Sequence, residues 1–76
     1  MSIINFMVFS NGRMYFHKSV NATGNMQNSH FVYEHIKEVV VDEIGQQYVV
    51  QIVTDNGSNF KKACRDHVRL TPLTLC

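Results

Sequence analysis

The residue whose type and place could do chemistry is Asp55. It follows an apolar run, Tyr48-Val49-Val50-Gln51-Ile52-Val53-Thr54, and precedes Asn56-Gly57-Ser58-Asn59. A carboxylate at the carboxyl end of a strand, among small polar neighbours, can reach a metal ion or a phosphate, because ligands of α/β sheets collect beyond those strand ends. The commoner use of such an aspartate is an Asx turn or a helix cap, and position alone leaves both uses open. The stretch is not an EF-hand loop: counted from Asp55, the sixth residue is Phe60 rather than glycine and the twelfth is Asp66 rather than glutamate.

A second group is basic. Lys61, Lys62, Arg65 and Arg69 recur in steps of three and four, which on a helix places them on a largely shared face that could meet a phosphate backbone. Such a face is more often simply solvated. Cys64, His67 and Cys76 could touch one metal ion, but they match no zinc spacing and have no fourth ligand. A buried thiol at Cys64 and a surface imidazole at His67 are the simpler expectations. His17, His30 and His35 have no nucleophile or carboxylate arranged around them, so a hydrolase triad is not arguable. Met7, Met14, Phe16 and Phe31 stand at core spacing.

The elements that position these residues follow from pattern. Ser2 to Ser10 is almost continuously apolar, with the β-branched and aromatic content of a strand, and Asn11-Gly12 is a strong two-residue hairpin signal. With that turn, Phe9 faces Met14, Met7 faces Phe16 and Ile3 faces Val20, giving one solidly apolar face. On the other, Ile4, Phe6 and Val8 oppose Ser19, His17 and Tyr15. Such a sheet is buried well on one side and partly on the other. Asn21 to Gln27 reads as a loop. Asn28 or Ser29 caps a helix whose stripe is Val32, Ile36, Val40 and Glu43/Ile44, and Gly45 ends it. Tyr48 to Thr54 looks like a central parallel strand reached through a crossover. Ser58 or Asn59 then caps a second helix through Phe60, Ala63, Cys64 and His67 to about Arg69, and Pro72 stops it. The fold class is therefore α/β, in the order β-β-α-β-α.

Composition mostly excludes. Seventy-six residues with 45% apolar and 17% charged content suit one small globular domain, and a net charge of +1 gives no global pull towards nucleic acid. No run is long enough to span a membrane, and Met1 to Asn5 lacks the basic region of a secretory signal. The chain reads as intracellular, in nucleus or cytoplasm, where its two cysteines are expected as free thiols.

Three segments carry a resemblance: Ser2-Ile3-Ile4-Asn5-Phe6-Met7-Val8, Lys18-Ser19-Val20-Asn21-Ala22, and Val49 through Asn59 followed by Lys62-Ala63. Together they resemble plant hAT-type transposase-like proteins, in the domain of unknown function that lies ahead of the hAT dimerisation region. Thr54 to Phe60 is also similar to the second-aspartate motif of retroviral integrases. Both resemblances imply a ribonuclease-H-like fold in which three acids hold Mg²⁺ or Mn²⁺ for two-metal phosphoryl transfer. Asp55 would be the second acid, a vestigial catalytic and metal-binding residue.

By the same resemblance, the first aspartate belongs to a strand upstream of the hairpin, usually followed by Gly-Trp, and the third acid lies far downstream. The chain contains neither. Glu34, Glu38 and Glu43, on the first helix, have no claim to replace the third. Thr71-Pro72 matches a Thr-Pro-Cys-x-x-His segment, but Leu73 replaces its cysteine and no histidine follows. The length then reads as the middle of a larger nuclease domain, and the missing strand is the parent fold's central one.

Either the Tyr48 to Thr54 strand closes against Ile3 to Phe9, antiparallel, or a second chain fills the gap. The resulting expectation is a fragment that is non-catalytic by itself and requires no cofactor. It would act through DNA or protein binding, or self-associate through open strand edges. The alternatives are a nuclease subunit whose first aspartate comes from a partner chain, and a small oligomerising module.

Overall fold

Asn11 and Gly12 both take positive φ, 53° and 76°. This is the twist a two-residue hairpin needs, and it joins strand β1 (Ile3–Ser10) to β2 (Arg13–Asn21). The computed structural model describes residues 2–24, 28–54 and 57–76.

The hairpin begins in the expected register, with Phe9 opposite Met14, Val8 opposite Tyr15 and Met7 opposite Phe16. The register then shifts between Phe6 and Met7, so that Phe6 opposes Lys18, Ile4 opposes Val20 and Ile3 opposes Asn21. His17 is the extra residue of this bulge. A one-residue slip moves side chains to the opposite face, and here it carries Val20 onto the side of Ile4 and Phe6.

That slip helps decide which face is buried. The core consists of Ile4 and Phe6 from β1, Val50 and Ile52 from β3 (Val49–Thr54), and apolar residues of the helices. The solidly apolar face expected to be the better buried one is the open one. Met14 is 48% and Phe16 64% exposed, which corrects the core assignment of both, while Met7 and Phe31 are only half-buried.

Helix α1 (Ser29–Lys37) begins at Asn28, whose side chain accepts hydrogen bonds from the backbone N–H groups of His30 and Phe31 at 3.0 and 3.3 Å. It buries Val32 and Ile36. The chain then widens into a π-helical segment, Glu38–Ile44, which buries both Val39 and Val40. Gly45, at φ 111°, ends it by donating its N–H to the Val40 carbonyl. One continuous α-helix was expected there.

β3 pairs directly with β1 and runs antiparallel to it, with Phe6 opposite Ile52 and Val8 opposite Val50. Because β2 also runs antiparallel to β1, β3 is parallel to β2 and is reached from it through the helical connection across β1, so the expected crossover to a central strand stands, with β1 as an antiparallel neighbour between the two. Helix α2 (Ser58–Leu70) starts from Gly57 without a side-chain cap, in place of the expected Ser58 or Asn59, and buries Phe60, Ala63, Cys64 and His67. After Pro72 the chain turns into β4 (Thr74–Leu75), a two-residue strand parallel to β3 that the pattern did not reveal. The sheet order is β2-β1-β3-β4, so the α/β architecture stands with one added strand.

Candidate functional site

The carboxyl end of β3 is the place where the sequence puts its chemistry. Asp55 and Asn56 lie outside the described residues. Around them the structure gives three facts. The Thr54 hydroxyl is buried and has no hydrogen-bond partner among the described residues. A groove of about 510 Å³ runs beside Thr54, with Ile52, Phe60 and Val68 among its apolar walls and Lys61 and Arg65 as its cations. β4 runs parallel to β3 with Val50 opposite Thr74 and Gln51 opposite Leu75.

The sequence profile described as "Domain of unknown function (DUF659)" matches residues 1–71. The chain belongs to the DUF659 family. That domain is associated with hAT-type transposase-like proteins. No curated protein and no solved structure matches the chain.

In this DUF659 chain the four basic residues do not form one stripe. Lys61 and Arg65 line the groove beside β3, whereas Lys62 lies with Asp66 in a separate cleft against Ser29, His30 and Tyr33 of α1. Arg69 is exposed near the end of α2 and lines neither space. None of the four forms an ion pair with a described residue.

His67 corrects the expectation of a surface imidazole: it is 1% exposed. Its Nε2 lies 2.6 Å from the Thr71 hydroxyl and 3.3 Å from that of Thr74. The Thr71 hydroxyl donates its proton to the His67 carbonyl at 2.8 Å. A hydroxyl has one proton, so it accepts from His67, and Nε2 is the protonated nitrogen of a neutral ring. Burial lowers the pKa of His67 below its ordinary 6.5. Cys64 and Cys76 are joined as a disulfide with their Cα atoms 6.4 Å apart, in place of the expected free thiols. The turn at Pro72 brings the chain back along β3, and this return places Cys76 beside α2. With both sulfurs bonded to each other, a Cys64, His67 and Cys76 metal site is excluded. Among the described residues, no group of three metal-ligating side chains comes together.

Pattern reading missed a second polar site. The bulge lets two successive residues reach Glu43 at the end of the π-helical segment: His17 Nε2 at 3.1 Å and Lys18 Nζ at 3.1 Å. The hydrogen bonds from His17 and Lys18 hold the Glu43 carboxyl below its ordinary pKa. His30 sits 3.8 Å from Glu34 one turn away, and the His35 ring packs on Phe31 with centroids 4.5 Å apart. These contacts give the three histidines structural surroundings. Among the described residues, no helix is long and apolar enough to cross a membrane.

Proposed function

We propose that this DUF659 chain is a transposase-derived domain without nuclease activity that acts by binding DNA or protein. The resemblance to plant hAT-type proteins and to the ribonuclease-H-like fold supplies the frame. In that frame the strand bearing the first catalytic aspartate lies between the hairpin and the strand that ends at Asp55.

One observation carries the reading. β1 and β3 are hydrogen-bonded neighbours from Ile4 opposite Thr54 to Phe9 opposite Val49, so the slot for a first-aspartate strand is taken up by the chain itself. This also weighs against a partner chain inserting that strand. Two metal ions held for in-line displacement need more than one carboxylate between them, and the direct β1–β3 pairing leaves no place between those strands for one that carries a second acid. Mg²⁺ or Mn²⁺ is therefore not required for the proposed role.

The deciding experiment incubates the full chain with duplex and single-stranded DNA in Mg²⁺ or Mn²⁺. No cleavage above a metal-free control is expected. Cleavage that disappears in Asp55→Ala would overturn the proposal.

A further inference from the structure

Helices α1 and α2 leave between them a cleft of about 320 Å³, lined by Ser29, His30 and Tyr33 of α1 and by Lys62 and Asp66 of α2. All of these residues lie inside the family match over residues 1–71. The volume is at the small end of ligand pockets, about 300–1,000 Å³. It suits one ring with a charged group rather than a length of chain.

Each wall brings a different chemistry. Tyr33 is half-buried, packs against the core and meets the buried His67 ring edge-on with centroids 6.3 Å apart. Its ring is thereby held in place, and a planar group that stacks on it orders little that is not already ordered. Asp66 is half-buried and makes no hydrogen bond or ion pair with a described residue. Lys62 stands four positions before it on α2, which is the weaker order for a charged pair at that spacing, and the two do not join. A carboxylate and an ammonium thus border the same space with their hydrogen-bonding capacity unused.

That combination disfavours simple ligands. Asp66 repels an inorganic anion, Lys62 repels a metal ion, and neither ligand uses the Tyr33 ring. A planar ring with N–H donors on its edge and a negative charge on its tether uses all three groups, and a nucleotide of a single strand is such a unit. In a duplex, stacking and pairing already occupy the ring faces and the pairing edge. Among the bases, guanine presents two adjacent N–H donors on that edge, which match the two oxygens of a carboxylate.

We propose that the cleft between α1 and α2 takes one nucleotide of single-stranded DNA, with its base stacked on Tyr33 and hydrogen-bonded to Asp66, its phosphate at Lys62, and guanine preferred. The inference rests on the reading of this chain as a binding domain and names the form of DNA and the side chains that take it.

The test follows the anisotropy of a fluorescein-labelled heptathymidine with the full chain, beside the same strand carrying guanine, inosine or adenine at its centre. The guanine strand should bind most tightly. Inosine lacks the second N–H donor and should bind several-fold more weakly, and duplex DNA of the same length more weakly still. Lys62→Glu, at an exposed position, should weaken every strand by roughly tenfold. Asp66→Asn offers one acceptor oxygen in place of two, so it should erase the preference for guanine over inosine while the thymine strand stays bound. The ring resonances of Tyr33 should move upfield on binding, as protons beneath a stacked base do. Absence of single-strand binding, equal affinity for duplex, a guanine preference that survives Asp66→Asn, or Tyr33 resonances unmoved at saturation would overturn the proposal. So would displacement of the strand by inorganic phosphate at matched ionic strength, which would reduce the cleft to an anion site. Each of these leaves the non-catalytic role intact through protein binding, whereas DNA cleavage would remove that role without altering the result at the cleft.

Discussion

Phe6 of β1 stands directly opposite Ile52 of β3, and both side chains are buried in the core. The pair locates the junction at which the sheet closes on itself. A double-mutant cycle of Phe6→Leu with Ile52→Val, followed by urea denaturation, should give a coupling energy of about 0.5 kcal/mol or more, as packed neighbours do. Strict additivity would mean that another element separates the two strands.

The buried neutral His67 makes stability depend on pH with a definite sign. Its folded pKa is lowered from 6.5, so as pH falls below 6.5 the unfolded chain takes up a proton that the folded chain resists. Stability is fully present above 6.5 and declines from there down to the folded pKa, with a slope of at most about 1.4 kcal/mol per pH unit. Urea midpoints measured between pH 7 and pH 5 should fall, and most of that slope should vanish in His67→Gln. Glu43 titrates below its ordinary 4.5 and so lies outside this window.

The disulfide closes a short loop, with Cys64 and Cys76 separated by 12 positions. The chain-entropy account gives about 3 kcal/mol for such a loop. Cys64→Ala combined with Cys76→Ser should lower stability by about that amount. A thiol titration of the denatured, unreduced protein should find no reactive thiols; two would contradict the pairing.

Phe16 tests which face of the sheet is covered. At 64% exposure it lies on the open face, so Phe16→Thr should change stability by less than about 1 kcal/mol, mostly through its contact with Met7. A loss of about 3–5 kcal/mol, typical of a buried Phe, would place it in a core.

Asn28 caps α1 with two hydrogen bonds. Asn28→Ala should cost about 1 kcal/mol, and Asn28→Ser much less. Thermal denaturation of the three proteins side by side measures the difference.

Local chemistry was legible from residue order. Asn11-Gly12 announces its hairpin because both residues tolerate positive φ. Asn28 announces a helix start, and Val32 and Ile36 announce its buried side. Phe60, Ala63 and Cys64 mark the inner face of α2 in the same way. Each of these signals is confined to a few neighbouring residues, where spacing and backbone preference act directly.

Tertiary structure decided what depends on partners distant in sequence. The bulge at His17 moved Val20 to the side of Ile4 and Phe6, and packing of the helices against that side, which no local pattern announces, decided which hairpin face is covered. Antiparallel pairing with β1 on one side and β4 on the other made β3 a central strand of the sheet. The return of the chain through β4 brought Cys76 to Cys64 and buried His67 against Thr71 and Thr74. The candidate groove has the same origin, because α2 sets Lys61 and Arg65 beside Ile52 and Thr54 of β3. No spacing along the chain encodes which helix lies against which strand, so the groove exists only once the sheet is assembled.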